Sequence, residues 1–159
     1  MKIYNMIGLP AESQEDIVAL VDLAKKMKAQ IKKIGGQFDI TISTSTFIPK
    51  AQTPFELAER TDKKTLEKYL NYLKKEFHKM GITFRPSSVD WDVIQSILSR
   101  YDESLADLLI EVMDKGGNLG AFKQTWKEYS KKGLIMNFEE ASKLPFNSKN
   151  PKWKFIKTK

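Results

Sequence analysis

The sequence predicts an α/β protein whose first half rests on parallel strands and whose second half is helical. Three observations carry this. Strand-like stretches at 2–7 and 38–47 flank one amphipathic helix, a βαβ unit that implies parallel pairing and a right-handed crossover. A further helix and a short strand, "ITFRP" at 82–86, extend the alternation. Beyond Ser87 the apolar residues recur at spacings of three and four, and the pattern stays helical.

Each element has a local reason. "KIYNMI" runs into Gly8-Leu9-Pro10, which breaks the strand. Ser13 can cap the next helix, and Glu15 and Asp16 place negative charge in its first turn, where the backbone dipole favours it. Ile17, Leu20, Val21, Ala24, Met27, Ile31 and Ile34 form one apolar stripe, and Gly35-Gly36 ends the helix at 14–34. In "FDITISTSTF", Phe38, Ile40 and Ile42 point one way while Thr41, Ser43 and Ser45 point the other. The apolar side is expected beneath the helices. The hydroxyl side either lines a polar cavity or faces water, since a strand buried on both faces would be apolar throughout.

"FIPKAQTPFELAERTD" holds two prolines and is too long for a tight turn. A helix is expected from about 62 to 80, with Leu66, Tyr69, Leu70, Leu73, Phe77 and Met80 on one stripe and Gly81 as its stop. Further helices are expected over 89–100, 103–115 and 118–131.

Composition narrows the classes. The 159 residues suit one ordinary domain, and 41% hydrophobic with 30% charged residues is a folded, not a disordered, balance. No apolar run reaches the roughly 18–20 residues a membrane helix needs, and no signal peptide opens the chain. There is no cysteine, so no disulfide forms, and the cytoplasm is the default location. The net charge of +7 suits a polyanionic partner such as RNA, or else lysines that decorate solvated helix ends. The segment 149–159 holds five lysines, no acid, Trp153 and Phe155, and is the best place in the sequence for a nucleic-acid contact.

The chemical inventory is sparse. His78 stands alone beside Phe77 and Lys79 and reads as a solvated helix position. No cluster has metal-ligand spacing, no glycine-rich phosphate loop occurs, and no Ser-His-Asp set assembles. Asp90, Asp92, Asp102, Glu103 and Asp107 read as helix-start and surface acids; Trp91, Phe122 and Trp126 read as core or interface. No catalytic residue and no metal ligand is assigned.

Two stretches in order, "MIGLPAESQED" and "FIPKAQTPF", resemble the fifth and sixth strand regions of radical S-adenosylmethionine (radical SAM) enzymes. "RPSSVDWDVIQSILSR" and "LADLLIEVMDKGGNLGAFK" resemble the branch with a cobalamin-binding-like N-terminal domain, related to the tRNA methylthiotransferases. The resemblance covers roughly residues 2 to 130.

It implies the C-terminal part of a partial (β/α)6 TIM-like barrel, followed by an accessory helical region. Residues 1–86 would be the last βα units, 87–145 the helical region and 146–159 a basic tail. By resemblance, Met6 takes the family's apolar adenine-contact position, and Gly8 allows close backbone approach. Ser43, Ser45 and Phe47 share an inward parity toward the nucleoside or substrate. The loop 49–55 would sit at the barrel mouth. Glu12 either matches the family's glutamate after Gly-Leu-Pro or serves helix-start electrostatics.

The family cleaves S-adenosylmethionine reductively on a [4Fe-4S] cluster held by a CxxxCxxC loop. With no cysteine, this chain departs from that pattern. The implied reading is a fragment of an iron–sulfur oxidoreductase, inactive alone, with no cofactor tightly bound. Its partners would be the N-terminal part of the same polypeptide and a second copy through an exposed strand edge. The other reading is a basic RNA-binding or protein-interaction module on a degenerate barrel scaffold.

Overall fold

The computed structural model describes residues 1–36, 38–101 and 103–143. The basic segment 146–159 and Asp102 lie outside the described residues. The chain divides into two compact units, one of Met1–Phe47 with Arg60–Val89, the other of Ile48–Glu59 with Asp90–Lys159.

The first unit is a parallel three-stranded sheet. Its strands are β1 (Lys2–Ile7), β2 (Thr41–Thr46) and β3 (Thr83–Pro86), in that spatial order. They are linked by α1 (Gln14–Lys33) and α2 (Lys63–Lys79). Lys2 pairs with Thr41, Tyr4 with Ser43 and Met6 with Ser45; across β2, Thr41 pairs with Thr83 and Ser43 with Arg85.

Strand order equals chain order, and Ile17 and Val21 of α1 share one core with Leu66, Leu73 and Phe77 of α2. Both crossovers therefore lie on the same side of the sheet, the singly wound arrangement. A doubly wound sheet would carry its helices on both sides. Ile7, Ile40 and Ile42 supply the sheet's share of that core.

Local chemistry explains the boundaries. Ser13 Oγ accepts from Asp16 N and Asp16 Oδ2 accepts from Ser13 N at 2.8 Å, a reciprocal cap on α1. Asp62 caps α2 in the same sense, accepting from Thr65 N at 2.9 Å. At the far end of α1, Gly35 N donates to Lys32 O and Gly36 N to Ile31 O, the paired bonds of a Schellman stop. Gly81 and Ile82 repeat that pattern on α2.

The alternation in the second strand holds over a shorter span than expected. Ile42 is buried on the helix side, and Thr41, Ser43 and Ser45 face the other way, none of them buried. Phe38 does not join Ile40 and Ile42 in the core: pairing begins at Thr41, and the Phe38 ring lies exposed against Gly36. The helix side also continues as Thr44 and Thr46, both buried. Thr44 is satisfied there, its hydroxyl donating to Asn5 Oδ1 at 2.6 Å. Ile34, expected on the α1 stripe, is exposed because it is the C-cap residue, beyond the last helical turn.

Apart from Ile48–Glu59 the second unit is helical: α3 (Val89–Leu98), whose first residue belongs to the first unit, a 3-10 turn (Glu103–Leu105), α4 (Ala106–Asp114), α5 (Leu119–Lys131) and α6 (Phe138–Lys143). Ile94, Ile97, Leu108, Phe122 and Trp126 form its core. Trp91 stays outside it, exposed, and Asp92, expected as a surface acid, is buried at 8% exposure.

Thr125 Oγ1 is buried with no hydrogen-bond partner among the described residues. Thr125→Val keeps the shape and removes the unsatisfied hydroxyl, so it should stabilise the chain by about 1 kcal/mol in urea unfolding. A measured loss of stability would show that the hydroxyl is satisfied in solution.

Candidate functional site

The candidate site is the sheet face that α1 and α2 leave open. Parity puts Lys2, Tyr4 and Met6 of β1 on it, with Thr41, Ser43 and Ser45 of β2 and Thr83 and Arg85 of β3. Register turns these into rows. Met6 lies beside Ser45 near the carboxyl ends of the strands, and Tyr4, Ser43 and Arg85 form the next row. Tyr4 is 76% exposed and Met6 46%, so a phenol and a thioether stand beside hydroxyls and a guanidinium.

At the end of β1 the chain makes a closed turn. Glu12 N donates to Leu9 O at 3.0 Å, with Pro10 next and Ala11 at φ +65°, the pattern of a type II turn. The Glu12 carboxylate then reaches back and accepts from Gly8 N at 2.5 Å. Partial burial pushes the Glu12 carboxyl above its usual range, the Gly8 hydrogen bond opposes this, and nearby Asp16 adds to the rise. Glu12 precedes the α1 cap Ser13 and closes the turn.

Gly8 sits at φ +81°, and its carbonyl accepts from Thr61 Oγ1 at 3.1 Å. Its N–H and C=O are therefore both engaged within the chain. A Cβ at this position would lie 2.7 Å from Leu66 Cδ2, so the absent side chain makes room for α2.

Of the residues singled out by sequence, Met6 and Ser45 stand side by side on the open face and Ser43 lies one row away. Phe47 follows the end of β2 and is buried, its N–H donating to Ile7 O at 2.7 Å. Gly8 lies one residue past β1.

Tyr4 and Arg85 belong to the face but were not found from sequence. The signal was present in the alternation of Lys2-Tyr4-Met6 and Thr83-Arg85. The register that puts them in one row was not.

The Ile48–Glu59 stretch groups with the helical unit. It is built of local turns: Thr53 Oγ1 donates to Lys50 O at 2.8 Å, and Gln52 N, at φ +60°, donates to Glu56 Oε2 at 2.6 Å. Partial burial lowers the Lys50 ammonium below the ordinary lysine range. His78 is exposed on α2, and no group of three or more His, Cys, Asp or Glu among the described residues could hold a metal ion. No helix among them is long and apolar enough to cross a membrane.

A curated archaeal protein is similar to the chain. This relative, an uncharacterized protein of Methanocaldococcus jannaschii, is 37% identical over 109 residues, 69% of the chain. The match takes in 23% of that relative, so the chain spans about a quarter of its length. No family model matches the chain, and no solved structure matches it.

Proposed function

We propose that this chain is the C-terminal part of a radical SAM iron–sulfur enzyme, contributing the last βα units of its barrel and part of its S-adenosylmethionine and substrate side. The observation that carries the reading is the singly wound parallel sheet with one face open. Parallel sheets occur almost only with both faces covered, and a barrel covers its inner face by closing on itself. A face bearing Tyr4, Met6, Ser45 and Arg85 is polar enough to meet a ligand there. The relative, about three times as long as this chain, is consistent with a piece of a larger protein.

The residues present do not fit the cluster. The chain has no cysteine, and iron–sulfur clusters are held mainly by cysteine thiolates. The cluster ligands belong to the remainder of the polypeptide, and no redox step is assigned to this chain.

The residues do fit one side of S-adenosylmethionine. Met6 offers an exposed apolar surface for a purine ring, and Ser45 beside it offers a hydroxyl. Gly8 contributes by shaping the turn, since its own backbone groups are already bonded.

The test is calorimetry with S-adenosylmethionine on the isolated chain and on the longer polypeptide that contains it. The isolated chain should bind weakly or not at all, and it should form no 5′-deoxyadenosine with reductant. In the longer polypeptide, Met6→Asp should weaken binding at least about tenfold, because it sets a charge against an apolar ring. Unchanged affinity would remove Met6 from the site. Absence of a CxxxCxxC in the longer reading frame would overturn the whole reading.

A further inference from the structure

The outward side of α1 and α2 carries a second feature, independent of the barrel reading. Lys28 Nζ donates to the carbonyl of Met80, and Lys25 lies within the field of Tyr72 and Glu76. The C-terminal halves of the two helices therefore run alongside each other. Lys25, Lys28 and Lys32 recur at three and four residues on α1; Lys68, Lys75 and Lys79 recur at seven and four on α2. All six are exposed.

Two carboxylates answer them. Asp22 pairs with Lys25 at 2.8 Å and Glu76 with Lys79 at 2.6 Å. Lys32 and Lys68 enter no ion pair among the described residues. Neighbouring like charges on helix surfaces are destabilising, so a ridge of this kind costs the isolated fold stability that a polyanion would restore.

We propose that this strip of lysines binds the phosphate backbone of a nucleic acid. At a helical rise of about 1.5 Å per residue, Lys68 to Lys79 covers roughly 16 Å, enough to follow several successive phosphates. A lipid surface is disfavoured. The apolar stripe of α2 is buried in the core, with Asn71 and His78 among its outward lysines, and the apolar residues that α1 exposes, Val18 and Leu23, stand five residues apart on different sides of the helix, so no continuous apolar face is offered for insertion. Tyr72 is half-buried and the His78 imidazole is the one ring these two helices expose, so base stacking adds little and binding is largely independent of sequence.

The experiment is fluorescence anisotropy with a labelled oligouridine strand and the full chain across a salt series. With about four phosphates neutralised, affinity should fall roughly 50-fold between about 50 and 200 mM salt. The triple variant Lys32→Gln, Lys68→Gln, Lys75→Gln should bind at least about tenfold more weakly at low salt and flatten the log–log salt slope by about 2. The triple variant Lys152→Gln, Lys154→Gln, Lys157→Gln in the basic C-terminal segment should stay within about twofold of the parent. Loss of binding in that second variant instead, affinity insensitive to salt, or displacement of the strand by phosphatidylserine vesicles would each overturn the proposal.

Discussion

Trp126→Ala should cost the helical unit about 3–5 kcal/mol, the usual range for removing a buried tryptophan. Trp126 is 1% exposed and gathers three rings around it. Phe122 stacks on it at 5.7 Å, and Tyr101 and Phe138 meet it edge-on at 5.7 and 5.8 Å. Its indole N–H donates to Met136 O at 3.1 Å, which ties the chain after α5 back to that helix. Truncation leaves a cavity at the point where three segments converge, and it leaves the Met136 carbonyl without that donor. Trp126→Phe keeps most of the ring contacts and loses the hydrogen bond, so it should cost less, about 1–2 kcal/mol. Urea unfolding followed by far-UV circular dichroism measures both. A cost for the alanine variant below about 1 kcal/mol would mean that the aromatic cluster does not organise this unit.

Gly8→Ala should cost the sheet unit about 3 kcal/mol, from two separable sources. The first is conformational. A left-handed φ of +81° costs an L-residue roughly 1–2 kcal/mol that glycine does not incur. The second is steric, because the new Cβ would stand 2.7 Å from Leu66 Cδ2, and Leu66 is fully buried in the core. Forcing a methyl into such a place typically costs 1–3 kcal/mol. A double-mutant cycle with Leu66→Ala separates them. With the leucine shortened, Gly8→Ala should retain its conformational cost and shed most of the steric one, giving a coupling of about 1 kcal/mol or more. Strict additivity would show that the turn, not α2, moves to admit the methyl.

That second experiment bears on the proposed site. The Gly8 turn fixes where β1 ends and therefore where Met6 stands beside Ser45. A strained Gly8→Ala turn should disturb ligand contacts on the open face without removing any side chain from it.

What the sequence determined by itself is mostly local. Helix limits were legible because their signals are covalent neighbours: Ser13 with Asp16 opens α1, Gly35-Gly36 closes it, and Gly81 closes α2. The parallel pairing of β1 and β2 followed from the helix between them, since a crossover returns the chain in the same direction. The facing of Thr41, Ser43 and Ser45 away from the core followed from the two-residue period of a strand.

Tertiary structure decided the rest. Only register set Tyr4, Ser43 and Arg85 in one row, because which residue pairs across strands depends on packing along whole elements. Phe38 lost its expected place in the core because the sheet gives it no partner strand. Asp92 left its expected surface place because the packing of α3 turned it inward, and its neighbour Trp91, read as core or interface, stands outside the core. Glu12 reads in the sequence as a helix-start charge, and it is the fold of the Gly8 turn that brings a backbone N–H within reach of its carboxylate. Sequence separation hides such contacts, as when Thr61 reaches the Gly8 carbonyl across 53 residues, because only the packed chain makes them neighbours.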